Sequence, residues 1–341
     1  MIRAIQYGVG AIGSRVVKAI AEKPWLKLIG EVDVDESKVG RDLGYVAGLN
    51  RETGIVVSRD LSEALKMGEA DVVLHTTSSW LRVVEPQIME IVDAGLNVVS
   101  TCEELSYPWR RNPEAARRID EAAKKAGVTV LGTGVNPGFV LDTLILTLTG
   151  VCLRVDRIEG LRVVNASTRR YPLQRKIGSG MTVKEFQRAV RDGRMGHVGL
   201  RESFDMIADS LSWSFDRVDE TIEPVVASRE VVTEFFRVKP GRVVGVSQSI
   251  RGLSNGVERL KLNLRMYLDA ENPRDLIKVE GVPNLEFEVK GGIPGDEATV
   301  AITLNMIPRV LDAEPGLKTM KELSIPIAWL KELSLKKRSR F

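Results

Sequence analysis

Three glycines near the start of the chain constrain its fold more than any other feature. Gly8, Gly10 and Gly13 form the spacing G-x-G-x-x-G directly after the apolar run Ala4–Tyr7, and an amphipathic stretch follows them. Glycines here allow a tight turn and close approach of the backbone to a ligand, and the helix that follows offers free N–H groups to a pyrophosphate. Asp33 ends the next apolar run, 20 residues beyond Gly13, where a carboxylate is placed to bind ribose hydroxyls. The combination predicts a dinucleotide-binding unit.

The residues around Asp33 bear on which dinucleotide is bound. A carboxylate at this position repels a 2′-phosphate and therefore favours NAD. Lys38 and Arg41 follow closely and carry the positive charge that a 2′-phosphate needs. We predict NAD as the cofactor, with NADP tolerated.

The first third of the sequence alternates short apolar runs with amphipathic stretches. Among the expected helices are Val84–Ala94 and Pro113–Ala126, each closed by a glycine that acts as a C-cap. Strand–helix alternation at this spacing predicts an α/β fold with a doubly wound parallel sheet. Residues 1–140 are expected to form this Rossmann domain, completed by residues 296–341.

The pattern changes after Gly150. Residues 221–289 form several runs of alternating polarity, and the turn Ser254 to Gly256 indicates a hairpin between two of them. We predict that residues 141–295 form a second, α+β domain with a mostly antiparallel sheet, which serves substrate binding and oligomerisation. Because such an open sheet leaves an unprotected edge or face, we also expect a homodimer.

Composition argues against several classes of function. Charges nearly balance, with 49 Lys+Arg against 46 Asp+Glu, so the sequence lacks the clustered basic excess of a nucleic-acid-binding protein. Two cysteines and two histidines, without metal-ligand spacing, predict neither a metal site nor a disulfide framework. The most apolar region, 128–153, is broken by glycines, Pro137 and Asp142, which argues against a membrane span. With no leader expected at the N-terminus, we predict a cytoplasmic protein that binds neither nucleic acid nor membrane.

Polar clusters follow three of the predicted parallel strands at their carboxyl ends, where this kind of sheet binds ligands. The clusters begin at His75, at Ser100 and at Gly132, and the glycine-rich third cluster lets the backbone approach the nicotinamide. Together with the glycine loop they supply the predicted cofactor-binding residues: Gly8, Gly10, Ala11, Ile12, Gly13, Asp33, Thr76, Thr77, Ser100, Thr101, Asn136 and Pro137.

Two adjacent carboxylates, Glu103 and Glu104, lie in the second of these clusters. A buried carboxylate beside a nicotinamide can hold an ammonium group or take a proton from attacking water. The same two residues would also be favoured at the start of a helix, where the dipole attracts negative charge. The residues alone leave both interpretations open.

Five segments give the chain a family resemblance: Gly8–Gly13, Val32–Asp35, Val39–Asp42, Ser100–Leu105 and Gly134–Gly138. In these the chain resembles the 2,4-diaminopentanoate dehydrogenases and the related native amine dehydrogenases, within the wider dihydrodipicolinate-reductase-like group. The similarity includes Gly196–Gly199 and Asn305–Arg309 and so covers nearly the whole chain. The His-His-x-x-Lys motif of dihydrodipicolinate reductase itself is absent, which argues against reduction of that cyclic substrate.

The resemblance implies NAD(P)-dependent oxidative deamination of an amine to a ketone and ammonia, reversible as reductive amination, with hydride transfer to nicotinamide C4. The small-molecule substrate would be a diamino acid like 2,4-diaminopentanoate, or a simple amine. In that group a glutamate after the fifth strand contacts the substrate nitrogen, which places the catalytic role on Glu104, with Glu103 as the fallback. The expected substrate-binding residues are Phe139, Asn165, Arg169, Tyr171 and His197.

Two other classes remain as alternatives. Cys102 suggests a semialdehyde or acylating aldehyde dehydrogenase, in which a thiolate forms a thioester. That thiolate needs an activating base or cation, whereas the neighbours of Cys102 are carboxylates. The second alternative is a non-catalytic dinucleotide sensor, which any turnover of an amine would exclude.

Overall fold

The computed structural model describes residues 1–329, and these belong to two compact units. One unit contains Met1–Phe139 together with the chain from Gly295 onward, and the other contains Val140–Pro294. These bounds lie one residue from those predicted, and the role of each unit stays a proposal. No helix within the described residues is long and apolar enough to cross a membrane.

The N-terminal part of the first unit alternates strands and helices, as the sequence predicted. Its strands are β1 (Ile2–Tyr7), β2 (Leu26–Val32), β3 (Val57–Ser58), β4 (Val72–His75), β5 (Asn97–Ser100) and β6 (Thr129–Gly132). Its helices are α1 (Ala11–Ile20), α2 (Leu43–Val46), α3 (Leu61–Leu65), α4 (Leu81–Asp93) and α5 (Pro113–Ala126), with a 3₁₀ turn over Glu103–Ser106.

The second unit contains four helices and the strands of a mostly antiparallel sheet. The helices are α6 (Thr143–Thr149), α7 (Tyr171–Lys176), α8 (Val183–Arg191) and α9 (Leu200–Ser210). The strands are β7 (Arg154–Asn165), β8 (Arg217–Val226), β9 (Val231–Val232), β10 (Arg237–Val238), β11 (Val243–Ser254), β12 (Val257–Tyr267), β13 (Arg274–Val282) and β14 (Leu285–Lys290). The chain then returns to the first unit through α10 (Gly295–Asp312) and β15 (Gly316–Lys318).

The sheet of the first unit is parallel and doubly wound. Its seven strands run in the order β15-β6-β5-β4-β1-β2-β3, and every pairing is parallel. Strand order reverses between β1 and β4, so the crevice at the carboxyl ends of these two strands is where such a sheet binds its ligand. The predicted fold class is confirmed, although the short strand β15 was not foreseen.

The helices of this unit follow from local sequence signals. Helix α5 begins with Pro113 in its first turn and ends at Gly127, whose φ of 71° only glycine adopts without strain. Its buried side chains, Ala116, Ile119 and Ala123, recur at helical spacing and pack into the core beside α4, β6 and β15. Strands β4 and β5 are themselves buried along most of their length because helices cover both faces.

The second unit is built on a six-stranded mixed sheet in the order β14-β13-β7-β12-β11-β8. Four of its five pairings are antiparallel, and β7 with β12 is parallel. The predicted hairpin turn at Ser254–Gly256 does connect β11 to β12. Leu260, Leu262 and Leu264 alternate inward from β12, as a sheet with one buried face requires.

Candidate functional site

The glycine loop connects β1 to α1 at the point where strand order reverses. Gly8 has a φ of 95°, and a Cβ on Gly13 would lie 1.9 Å from the carbonyl oxygen of Gly8, so neither position accepts another residue. The first bond of α1 runs from the Ser14 N–H to the Gly10 carbonyl, and no side chain caps the helix. The N–H groups of Ala11, Ile12 and Gly13 are therefore available to an anion, as the sequence predicted.

Two side chains beneath the loop hold its shape. Gln6 Nε2 donates to the Gly8 carbonyl at 2.9 Å and to Thr76 Oγ1 at 2.8 Å, and Thr76 Oγ1 donates to the same carbonyl at 2.7 Å. Thr76, predicted to bind the cofactor, thus supports the loop from the end of β4. Gln6 was not foreseen, because a polar residue within an apolar strand gives no local signal of its partner.

Asp33 lies at the end of β2 beside this loop. Its carboxylate accepts hydrogen bonds from the N–H of Val9 at 2.8 Å and of Asp35 at 2.9 Å, and from Lys38 Nζ at 2.9 Å. Burial opposes ionisation, but these three donors together hold the pKa of Asp33 below its usual value. An ionised acid fixed at this point is suited to accept hydrogen bonds from ribose hydroxyls.

These residues fit a nicotinamide dinucleotide. The open N-terminus of α1 matches a pyrophosphate, the missing side chain at Gly10 leaves space for its approach, and Asp33 matches the adenosine ribose. The first unit is accordingly an NAD(P)-binding domain. Among residues 1–329, no group of three or more His, Cys, Asp or Glu side chains is arranged to hold a metal ion.

A buried hydrogen-bond network joins the ends of β4 and β5. His75 Nε2 lies 2.8 Å from Gln87 Oε1, and His75 Nδ1 lies 2.8 Å from Ser100 Oγ, which also accepts the Cys102 N–H. Gln87 Oε1 also accepts the Thr77 hydroxyl at 2.7 Å. Since Gln87 Oε1 can only accept, Nε2 carries the ring proton. Burial lowers the pKa of His75 to about 4, so the ring is neutral at working pH.

The network gives Thr77 and Ser100 structural partners within the protein. Both were predicted to bind the cofactor, and both lie at the carboxyl edge of the sheet, as expected. Thr101 continues this edge and donates its N–H to the His75 carbonyl at 2.9 Å. Their contacts to a dinucleotide stay a prediction.

The turn after β5 carries the two glutamates. It packs so closely on β6 that a Cβ at Gly132 would lie 2.4 Å from the backbone of Leu105. Glu103 is partly exposed, whereas Glu104 is 7% exposed. The start of a 3₁₀ turn at Glu103 agrees with the helix-start interpretation, which does not exclude a chemical role.

One carboxylate oxygen of Glu104 is fixed by the backbone. Oε2 accepts the Leu81 N–H at 2.7 Å and so caps the N-terminus of α4, which has no cap from Trp80. The buried carboxylate is therefore held in a defined orientation in the turn after β5.

The glycine-rich loop after β6 presents an amide side chain without partners. Asn136 is 8% exposed, and neither Oδ1 nor Nδ2 has a hydrogen-bond partner among the described residues. The loop is compact, because a Cβ at Gly138 would lie 2.4 Å from the Gly134 nitrogen, and the Val135 N–H donates to Thr299 Oγ1. A buried, unpaired amide next to Pro137 agrees with the prediction that this loop binds a polar ligand group.

Cys102 lies between the network and the glutamates but is chemically inert. Its side chain is 1% exposed, and burial, with smaller contributions from Glu103 and Glu104, raises the pKa of the thiol. A thiol that stays protonated is a poor nucleophile. An acylating aldehyde dehydrogenase needs a reactive thiolate, so the surroundings of Cys102 argue against that alternative.

In the second unit, His197 is the predicted residue with the most unusual surroundings. The backbone N–H of His197 donates to Gln248 Oε1 at 2.6 Å. The ring nitrogen Nδ1 is shielded from solvent and has no partner among the described residues. Burial, with the nearby charges of Lys176 and Arg162, lowers the pKa of His197 to about 4. A neutral imidazole within a basic cluster is suited to bind an anionic ligand.

The basic cluster extends to a buried ion pair that sequence reasoning missed. Arg162 on β7 pairs with Asp275 on β13 at 2.7 Å, and both are almost completely buried. Arg169 lies close enough to Arg162 to lower its pKa further, after burial. The two partners are 113 residues apart in sequence, and β13 was not given bounds of its own within the predicted β-rich region. No local sequence pattern could therefore predict the ion pair.

The other predicted substrate residues divide between the two units. Asn165 ends β7, where its Oδ1 accepts the Ser167 N–H at 2.9 Å, and Phe139 ends the first segment of the nucleotide-binding unit. Tyr171 is 45% exposed, and its ring stacks on Phe236 at 5.6 Å. No hydrogen bond or ring contact within residues 1–329 connects Tyr171 to His197.

Comparison with known proteins places the chain in a family. Residues 139–339 match the model of the 2,4-diaminopentanoate dehydrogenase C-terminal domain, and residues 2–131 match that of the dihydrodipicolinate reductase N-terminus. The chain is 32% identical to the 2,4-diaminopentanoate dehydrogenase of Acetoanaerobium sticklandii, over 96% of this chain and 94% of that protein. The chain belongs to the 2,4-diaminopentanoate dehydrogenase family. The predicted family is confirmed, and with it the enzyme class, an oxidoreductase acting on amines.

Two further relatives agree with this membership. The amine dehydrogenase of Streptomyces virginiae is 24% identical over 96% of this chain and 97% of its own length. The solved structure of the amine dehydrogenase from Mycobacterium smegmatis superimposes with a TM-score of 0.83 at 29% identity, covering 96% of this chain and 97% of that one. The fold of this chain, over 96% of its length, is therefore that of a solved amine dehydrogenase.

Proposed function

We propose that the protein catalyses the NAD(P)-dependent oxidative deamination of a diamino acid of the 2,4-diaminopentanoate type to a ketone and ammonia, reversible as reductive amination. The observation that carries the proposal is Glu104, a buried carboxylate whose Oε2 is fixed by the Leu81 N–H. It follows the fifth strand of a nucleotide-binding sheet, at the edge where ligands bind. The 32% identity to a 2,4-diaminopentanoate dehydrogenase supports the substrate class.

The chemistry requires a proton acceptor near the substrate nitrogen. An ammonium group has no lone pair, so the amine carbon cannot release hydride until the nitrogen has lost a proton. Glu104 Oε1 accepts that proton, and the bond from Leu81 keeps the carboxyl group oriented while it does so. After hydride transfer Glu104 releases its proton to solvent, and the carboxylate then takes a proton from the water that attacks the iminium carbon. It returns that proton to the nitrogen of the carbinolamine, whose C–N bond breaks to give a ketone and ammonia.

The first unit holds the dinucleotide for this step. The N–H groups at the start of α1 bind the pyrophosphate, and Asp33 accepts hydrogen bonds from the adenosine ribose. The nicotinamide ring, when bound, supplies the hydride acceptor at C4. The unpaired amide of Asn136, in the loop after β6, would supply a donor and an acceptor to the nicotinamide end of the dinucleotide.

The second unit recognises the substrate through charge. His197 Nδ1 lacks a partner in the described residues and lies near the positive charge of Lys176, whereas the charge of Arg162 is paired with Asp275. A diamino acid carries a carboxylate that a cation and an imidazole can bind, whereas a simple alkylamine does not. Lys176 and His197 therefore favour a diamino acid over an alkylamine as the substrate.

The proposal is tested with the full-length protein, a panel of amines and both dinucleotides. We expect reduced nicotinamide to form from 2,4-diaminopentanoate, with one ammonia released for each dinucleotide reduced, and little turnover of the analogous amine without a carboxylate. Reduction driven only by an aldehyde, together with coenzyme A or phosphate, would instead indicate the acylating class. Binding of NAD without turnover of any amine would indicate the non-catalytic sensor.

A further inference from the structure

Glu31 is a buried carboxyl group that the proposed function does not use. It lies on β2, is 0% exposed, and neither Oε1 nor Oε2 has a hydrogen-bond partner among residues 1–329. Its register partner on β3 is Val57, which belongs to an apolar cluster with Val9, Val17 and Leu43. An ionised carboxylate in such surroundings would cost several kcal/mol, so the group is uncharged.

The charges near Glu31 favour the same state. Burial is the main cause that raises the pKa of Glu31, and the negative charge of Asp33, two residues along the strand, adds to it. Lys38 and the Val32 N–H act in the opposite direction but are weaker. Helices α1 and α2, which pack over this face, present Val17 and Leu43.

The neighbouring strand carries an acceptor that lacks a donor. Gln6 on β1 is the register partner of Glu31, and partners in adjacent parallel strands project from the same face of the sheet. The amide nitrogen of Gln6 is committed to Gly8 and Thr76, which leaves its Oε1 buried and without a partner in the described chain. A neutral carboxyl group has the O–H donor that this oxygen lacks.

We propose that protonated Glu31 donates a hydrogen bond to Gln6 Oε1 and thereby positions the glycine loop for the dinucleotide. The orientation of Gln6 decides where the Gly8 carbonyl lies, because its Nε2 holds that carbonyl at 2.9 Å. Helix α1 packs directly above, with the Cβ site of Gly13 3.0 Å from Gln6 Nε2. Glu31 is therefore a positioning residue that acts through Gln6, and the inference rests on the dinucleotide site of the proposed function.

The test separates this role from simple packing. In an apolar cluster, Glu31→Leu should preserve or raise the melting temperature. If Glu31 acts through its proton, the same variant should weaken NAD binding by about threefold to tenfold, because Gln6 Oε1 loses its donor. Glu31→Gln keeps a donor of the same shape and should bind NAD within about twofold of the parent. Equal NAD affinity of Glu31→Leu and the parent protein would overturn the proposal.

Two further measurements keep the proposal testable if Glu31→Leu does not fold. The infrared difference spectrum of the parent protein against Glu31→Gln at neutral pH should contain the carbonyl stretch of a protonated carboxyl group, and its absence would refute the protonation. In a double-mutant cycle, adding Glu31→Leu to Gln6→Leu should cost little further NAD affinity, since Gln6→Leu has already removed the acceptor through which Glu31 acts. Additive losses would show that the residues act separately. Failure of the parent protein to bind NAD would instead refute the proposed function.

Discussion

Asp33 Oδ2 accepts a hydrogen bond from Lys38 Nζ at 2.9 Å, so the acid expected to bind the adenosine ribose is itself paired with a cation. The Lys38 side chain is 25% exposed and also lies 3.5 Å from Asp35. A 2′-phosphate at this point would be repelled by Asp33 and attracted by Lys38. The pair is the structural basis of the predicted preference for NAD with NADP tolerated.

The first prediction concerns cofactor preference. Asp33→Ser should weaken NAD more than NADP, by about 1–3 kcal/mol, because it removes a charged acceptor from the ribose hydroxyls. The measurement is the ratio of the NAD and NADP dissociation constants, obtained by calorimetry. This ratio isolates the ribose contact, because Asp33 also accepts the N–H groups of Val9 and Asp35, and the loss of those bonds weakens both dinucleotides alike.

Lys38→Met is the opposite substitution at the same pair. It should weaken NADP by roughly tenfold relative to NAD, since it removes the cation that faces a 2′-phosphate. If neither variant changes the ratio, other residues select the dinucleotide.

The second prediction concerns Cys102. Because its thiol is buried and its pKa is raised, Cys102→Ala should retain most of the turnover of the parent protein. The loss of a small buried side chain should lower stability by about 1 kcal/mol. The decisive measurements are the steady-state rate and mass spectrometry of quenched parent protein. A trapped thioester, with an inactive Cys102→Ala variant, would assign the protein to the aldehyde dehydrogenase class.

The third prediction concerns acid stability. Burial lowers the pKa of His75 from 6.5, the usual value of a histidine, to about 4, so the unfolded chain takes up a proton that the folded chain excludes. The stability that the neutral ring contributes is present above pH 6.5 and is lost as pH falls towards about 4. Between pH 7 and pH 5 this amounts to about 2 kcal/mol.

Urea unfolding at both pH values checks the sign and the size. The parent protein should lose about 2 kcal/mol more between pH 7 and pH 5 than His75→Gln, whose side chain does not titrate. His197→Gln should show the same reduced pH dependence in the second unit, since the pKa of His197 is also lowered to about 4. Identical pH dependence of the parent and both variants would contradict the burial of neutral rings.

Local sequence patterns predicted the features of this protein that depend on short spacing. The glycine loop, Asp33 and the strand ends all lie within single strand–loop–helix units, where residue type and distance decide the structure. Helix α5 has the predicted bounds, Pro113–Ala126, for the same reason.

Features that depend on tertiary contacts were not predictable. The bond from Leu81 to Glu104 joins residues 23 apart, and the Arg162–Asp275 pair joins residues 113 apart. The roles of Gln6 and Glu31 depend on the register of two strands rather than on any motif. The homodimer, the compartment and the contacts of the predicted site residues with ligands stay predictions.

The fourth prediction concerns Glu104 and is the most direct test of the account. Glu104→Gln keeps the size of the side chain and an oxygen that can accept the Leu81 N–H, but it cannot take a proton from the substrate ammonium. Loss of a general base typically lowers the rate by about 10²–10⁴-fold. Glu103→Gln is the matched control, one residue away in the same turn, and should retain turnover.

The deciding measurement is kcat for oxidation of 2,4-diaminopentanoate by the parent protein, Glu104→Gln and Glu103→Gln, with NAD affinity and melting temperature recorded for each. The account predicts a fall of about 10²–10⁴-fold for Glu104→Gln alone, with NAD binding and stability preserved. Near-parental turnover of Glu104→Gln would contradict the account, and a selective loss in Glu103→Gln would transfer the catalytic role to that residue.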